Sequence, residues 1–194
     1  MQVTSKKSLR AELKKRRMEM SPVEKAAADR IITERVTQSA LYNDADDLLI
    51  YVSSQIEVGT HGIITRAFSD GKSVYTPRCI PGTNDMVFCR IGSFDDLECG
   101  AWGISEPKEH CKVFEGSDNA LCITPALAYD RNGYRLGFGK GYYDRFLSGF
   151  RGRRAGICYD SFITDNVFRD SFDVPVEIII TEKREIIIDD EREE

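Results

Sequence analysis

Long hydrophobic runs are missing from this 194-residue sequence. Its longest, such as the isoleucine-rich stretches 178–180 and 186–188, fall far short of the ~20 residues needed to span a bilayer. The basic residues near the start are not followed by an uninterrupted apolar stretch, which argues against a secretory signal. Histidine is scarce, with His61 and His110 alone, and no Ser-His-Asp arrangement can be built from them. The six cysteines, at 79, 89, 99, 111, 122 and 158, include no C-x-x-C pair. That spacing predicts free thiols in a reducing, cytoplasmic setting rather than zinc ligands or disulfides. Basic charge is in deficit, since 27 Lys and Arg against 32 Asp and Glu leave a net charge of −5. The deficit is uneven: residues 1–17 carry +6 and the remainder −11. An acidic body argues against a dedicated nucleic-acid binder, though not against a small anion held by a few cations.

What is present describes a globular chain. Hydrophobic residues make up 41% and charged residues 30%, and the length fits one domain over residues 1–194. A first helix is expected from the stripe Leu9, Leu13 and Met20, with a basic stripe (Lys6, Arg10, Lys14, Arg17) beside it. Ser21-Pro22-Val23-Glu24 gives an N-cap, a first-turn proline and a capping-box glutamate. The helix it starts is expected to reach about Ser39, with Val23, Ala27 and Ile31 on one flank and Ala28, Ile32 and Val36 widening the face. Residues 48–52 and 121–125 read as strands buried on both faces. A helix over 60–68 and a strand over 73–76, stopped by Pro77, complete a βαβ unit with 48–52. Further strands are expected over 86–91, 155–158, 176–180 and 185–188, with 92–119 irregular or hairpin-like and the acidic tail 189–194 solvated. The fold class is therefore α/β, a mostly parallel layered sheet flanked by helices.

The most informative segment is Gly133-Tyr134-Arg135-Leu136-Gly137-Phe138-Gly139-Lys140-Gly141-Tyr142-Tyr143-Asp144-Arg145. Glycines at alternate positions let the backbone approach a ligand and turn its N–H groups toward an anion. Lys140 adds a mobile charge and Arg135 a forked cation suited to phosphate, while the following helix presents the positive end of its dipole. Asp144 is placed to ligate a magnesium ion on phosphate oxygens. It is not a Walker A loop, because Gly141 rather than Ser or Thr follows Lys140. Nor is it a dinucleotide fingerprint, because Tyr142 stands where the third glycine belongs.

This run, preceded by Ile123-Thr124-Pro125-Ala126-Leu127-Ala128-Tyr129-Asp130, closely resembles the signature of the 5-formyltetrahydrofolate cyclo-ligase family. Lys6-Lys7-Ser8-Leu9-Arg10 resembles that family's first ATP-contacting segment, and Tyr51-Val52-Ser53-Ser54-Gln55-Ile56-Glu57 its folate-contacting strand end. Asp173, followed by residues 176–181, is similar to its C-terminal acidic position. There the family has a histidine just before the aspartate, whereas this chain reads Phe168-Arg169-Asp170-Ser171-Phe172. Trp102 sits in a Trp-Gly-Ile-x-x-Pro context similar to another family element and reads as a packing residue. The resemblance implies ATP contacts from Lys6, Arg10 and 135–143, with Lys140 and Arg135 catalytic. It also implies folate contacts from Val52, Glu57 and 138–142, and magnesium on Asp144 and Asp173. The implied reaction is the ATP- and Mg²⁺-dependent cyclisation of 5-formyltetrahydrofolate to 5,10-methenyltetrahydrofolate. It releases ADP and phosphate, through phosphorylation of the formyl oxygen.

Each residue also has a plainer reading. Lys6 and Arg10 fit a solvated helix face, Glu57 fits a first-turn helix acid, and Tyr142 and Tyr143 fit core aromatics. Two other functions remain open on this sequence. One is a sugar-phosphate isomerase-like enzyme of the same architecture, which would not need the cations Lys6, Arg10 and Lys140. The other is a regulatory module that binds nucleotide or folate without turnover.

Overall fold

The computed structural model describes residues 5–100 and 103–188, so the expectations for Trp102 and the tail 189–194 lie outside the described residues. Three helices come first: α1 (Lys6–Met18), α2 (Pro22–Gln38) and the short α3 (Ala40–Asp44). The chain continues through β1 (Asp47–Ile50), α4 (His61–Ser69), β2 (Ser73–Cys79) and β3 (Met86–Ile91). A small hairpin follows, β4 (Leu97–Cys99) and β5 (Ser105–Pro107), then β6 (Ala120–Thr124), β7 (Ala128–Asp130) and β8 (Arg135–Leu136). The last part holds α5 (Tyr142–Ser148), β9 (Arg153–Ile157), β10 (Ile163–Thr164), β11 (Ile178–Ile180) and β12 (Glu185–Ile187).

Seven strands form the main sheet in the order β12-β11-β9-β6-β1-β2-β3. The five inner strands run parallel, and the two outer ones, β12 and β3, are antiparallel to their neighbours. The expected βαβ unit is β1-α4-β2, paired in parallel with Asp47 opposite Ser73. The inner strands read as apolar runs because both faces are covered. On one face, Leu48, Ile50 and Ile123 pack with Ile32 and Val36 of α2 and with Ile63, Ile64 and Ala67 of α4. On the other, Leu49 and Cys122 meet Phe88 and Leu147, with Tyr142, Tyr143, Phe146 and Phe150 around them. Among the described residues, no helix is long and apolar enough to cross a membrane. The six cysteines are free thiols.

Three local expectations change. β2 does not stop at Pro77 but runs on to Cys79, with Pro77 opposite Phe88 of β3. The register with β1 ends at Tyr75, so from there β2 is paired with β3 alone among the described strands, and a strand paired on one side tolerates a residue without an N–H. The apolar face of α2 is narrower than its sequence suggests. Ile32 and Val36 are buried, but Val23 is exposed in the first turn. A second sheet, β10-β7-β8, takes in the start of the glycine-rich segment and is absent from the sequence reading. Strands of two or three residues leave no readable alternation.

Candidate active site

The candidate site draws on residues beyond the carboxyl end of β1, the usual place for ligands in open α/β sheets, and on the loops that precede α5 and β11. It is organised by α1, whose C-terminal end lies beside the exits of β1, β6 and β9. Ser5 caps α1 reciprocally with Ser8, and Leu9 and Leu13 bury its apolar stripe. The basic stripe beside it is a docking face rather than a solvated one. Arg17 is only 3% exposed. Its Nη2 donates to the carbonyls of Ala126 (3.1 Å) and Leu127 (3.0 Å), and its Nη1 to that of Ile56 (3.3 Å). These carbonyls follow β6 and β1, so one guanidinium gathers two strand exits. It also sits 4.7 Å over the Tyr159 ring and 4.3 Å over Phe162, beyond β9.

One turn earlier, Lys14 stands 5.1 Å over the ring of Phe138. Arg10 donates through Nε to the Gly137 carbonyl at 2.9 Å. Lys6 reaches across to Asp170 at 2.5 Å and Asp173 at 2.8 Å. Burial alone would lower the Lys6 pKa, but its hydrogen bonds to the two aspartates outweigh that and raise it. The two cations expected at ATP thus lie against the glycine loop and beside Asp173.

The loop takes its shape from backbone angles that side chains avoid. Gly139 and Gly141 have φ of 101° and 71°, and a Cβ on Gly139 would meet the Arg10 guanidinium at 3.3 Å. Arg145 braces the loop by donating to the carbonyls of Lys140 (2.6 Å) and Asn84. Lys140 and Phe138 are exposed, Tyr142 is half-buried, and Leu136 is fully buried, its carbonyl accepting from Leu127.

Arg135 points inward. It is 6% exposed, pairs with Asp144, and donates to the Val174 carbonyl at 2.8 Å. Asp144 Oδ1 also accepts from the Val174 N–H at 3.2 Å, while Asp173 Oδ2 accepts from the Asp170 N–H at 2.8 Å. The two aspartates named as metal ligands are therefore tied to neighbouring backbone, each through one oxygen. Both offer the hard oxygen donors that magnesium prefers.

Glu57 closes the other side, its Oε2 accepting from the Ser54 N–H at 2.8 Å. Val52 is buried and lines a hollow of about 380 Å³ with His61, Phe94, Leu97, Glu98, Cys99 and Ser105. Tyr143 joins the two halves. Burial first, then Cys122 and the Glu57 carboxylate, hold its hydroxyl pKa well above the ordinary range. That hydroxyl is buried and finds no hydrogen-bond partner among the described residues. Sequence reasoning missed the role of Arg17. The available signal was its place at the end of the basic stripe, one turn past the buried Leu13.

The comparisons with known proteins agree with one another. Residues 2–182 match the sequence profile of the 5-formyltetrahydrofolate cyclo-ligase family. A probable 5-formyltetrahydrofolate cyclo-ligase of Caenorhabditis elegans is 30% identical over 171 residues, covering 81% of this chain and 83% of that protein. The 5-formyltetrahydrofolate cyclo-ligase of Mus musculus is 34% identical over 152 residues, 74% of each chain. A solved structure of 5,10-methenyltetrahydrofolate synthetase from Aquifex aeolicus matches with a TM-score of 0.84 at 28% identity, covering 96% of this chain and 94% of that one. A profile match over nearly the whole length, on a shared fold, leads to one conclusion: the chain belongs to the 5-formyltetrahydrofolate cyclo-ligase family, whose members are ligases.

Proposed function

We propose that the chain closes 5-formyltetrahydrofolate to 5,10-methenyltetrahydrofolate at the expense of ATP, through a phosphorylated formyl group. The observation that carries this reading is the docking of Lys6, Arg10 and Lys14 against the glycine loop and Asp173. It concentrates positive charge beside a backbone shaped for close approach. An isomerase of similar architecture has no need of such a cation-lined extension.

The formamide oxygen is a poor leaving group until it is phosphorylated. In the proposed sequence that oxygen attacks the γ-phosphorus and ADP leaves. N10 then attacks the formyl carbon and gives up its proton, and the C–O bond breaks to release phosphate. Phosphoryl transfer depends mainly on positioning and charge neutralisation. Lys140 is assigned to the transferring phosphoryl oxygens, and Lys6 and Arg10 to the remaining phosphates. Arg135, turned inward, acts by holding Asp144 in place. Asp144 and Asp173 are the residues that would hold Mg²⁺, which supplies charge neutralisation on phosphate oxygens when bound. Lys6 masks Asp173 in the free protein; nucleotide phosphate would draw Lys6 away and expose the carboxylate. On the folate side, Glu57 accepts from pterin N–H groups, with Val52 and Phe138 as apolar borders.

The test is turnover by the purified protein with ATP, Mg²⁺ and 5-formyltetrahydrofolate, following methenyl absorbance together with ADP release. Both signals should require all three components and appear in equal amounts. Equal methenyl formation without ATP would overturn the reading.

A further inference from the structure

The region 92–111 contains a side-chain cluster that the proposed reaction does not use. Asp96, His110 and Cys111 bring one carboxylate oxygen, one imidazole nitrogen and one sulfur to within 4.8 Å of one another. We propose that these three residues form a binding site for a thiophilic divalent cation of the zinc class, separate from the catalytic Mg²⁺ position.

The arrangement is held in place by backbone rather than by the side chains alone. Asp96 Oδ2 accepts from the N–H groups of Gly92 (2.6 Å) and Ser93 (3.2 Å), which fixes the carboxylate and turns Oδ1 toward His110. Oδ1 lies 3.5 Å from His110 Nε2. In a tetrahedral zinc site, ligand bonds of about 2.0–2.3 Å put adjacent donors roughly 3.3–3.7 Å apart, so this pair already has the required span. Lys108 joins the two ligand-bearing segments, its N–H donating to the Asp96 carbonyl (2.9 Å) and its Nζ to that of Asp95 (2.7 Å), while Cys111 N turns back to the Lys108 carbonyl (3.0 Å). Cys111 Sγ lies 3.8 Å from the same Asp96 carbonyl, on the inner side of the cluster.

The chemistry of the set is selective. Sulfur, imidazole and carboxylate together suit zinc or cobalt and do not suit magnesium or calcium. On binding, the Cys111 thiol gives its proton to solvent. Thiolate and carboxylate then neutralise the dication, and His110, exposed to solvent, leaves a fourth position for water. Cysteine spacing alone conceals this site, because Cys111 works with the adjacent His110 and with an aspartate fifteen positions earlier. Two residues before Asp96, Phe94 stacks on His61 at 5.2 Å, so a cation here would also fasten one wall of the hollow beside Val52.

Cobalt(II) alone, titrated into the full chain under a non-thiol reductant, reports the site directly. One equivalent should bind and give a thiolate–cobalt absorption band together with visible bands of tetrahedral cobalt. Zinc should displace it and raise the melting temperature. Cys99→Ser, at the exposed cysteine, should leave the spectrum unchanged. Cys111→Ser should abolish the thiolate band, and His110→Ala should weaken binding by more than about tenfold. His110 is exposed, so that variant keeps its fold even where the buried Cys111 substitution does not. Absence of the thiolate band, its loss in Cys99→Ser, or wild-type affinity in His110→Ala would each overturn the proposal.

Discussion

Replacing Arg17 with methionine should both destabilise the protein and weaken the proposed binding of ATP. Three carbonyls, Ile56, Ala126 and Leu127, lose a charged donor that they meet at 3.0–3.3 Å. A buried acceptor left without its donor costs about 1–3 kcal/mol, and the lost contacts with Tyr159 and Phe162 add about 0.5–2 kcal/mol each. Against this, the variant no longer buries a guanidinium, whose desolvation costs several kcal/mol. Methionine also keeps much of the apolar contact. The balance is a loss of about 2–4 kcal/mol, or roughly 5–15 °C in melting temperature for a chain of this size. Arg17 has no place in the proposed chemistry, so its effect on turnover must pass through what it holds: α1 and the strand exits at Ile56 and Ala126. Loosening α1 displaces Arg10 from Gly137 and Lys6 from Asp173, so the KM for ATP should rise even well below the melting transition. Arg17→Lys keeps the charge, but one ammonium cannot span all three carbonyls, so it should recover only part of the loss. Thermal melts and ATP saturation curves on the three proteins decide the matter. A melting temperature within about 2 °C of the parent, with unchanged ATP KM, would show that Leu9 and Leu13 hold α1 without help.

Lys140→Met should lower kcat on the order of 10²–10³-fold with little change in folate KM, since its proposed role is confined to transition-state charge. Steady-state kinetics on a variant with unaltered melting temperature would remove Lys140 from the mechanism if kcat stayed near normal. Gly156→Ala tests the packing under the site: its new Cβ would fall 2.5 Å from Cζ of the fully buried Tyr129. Overpacking of that kind costs about 1–3 kcal/mol, and calorimetry should show a lower melting temperature; an unchanged value would mean that Tyr129 is free to move aside.

The sequence was most legible where one local pattern carried the meaning. Residues 48–52 and 121–125 had to be covered strands, and the alternate glycines had to form a loop of unusual backbone. Leu9 and Leu13 likewise announced the buried stripe of α1. It was least legible where long side chains choose between inside and outside. Arg135 reads as a phosphate-facing cation, yet its guanidinium turns into the protein to meet Asp144 and Val174. Arg17 reads as the end of a basic stripe, yet it is the most deeply buried cation of α1. In both cases the partners lie in other elements, 39 positions along the chain for Arg135 and Val174 and 110 for Arg17 and Leu127. No helical period reports such distances. Pro77 misled for a related reason, because whether a strand tolerates proline depends on where its neighbour ends.

The placement of α1 has a consequence for how the chain is made. Its contacts reach forward 110 residues to Leu127, 127 to Gly137 and 167 to Asp173. At roughly 5–20 residues per second of synthesis, the helix waits on the order of ten to thirty seconds before its last partner emerges. During that wait α1 lacks the partners that fix it over the glycine loop and beside Asp173. The apolar stripe is thin and set among basic residues, so an early α1 stays hydrated and repels its copies on neighbouring ribosomes. The cations proposed to gather nucleotide in the finished protein thus also protect the unfinished one, and docking α1 becomes a late step that completes fold and site together.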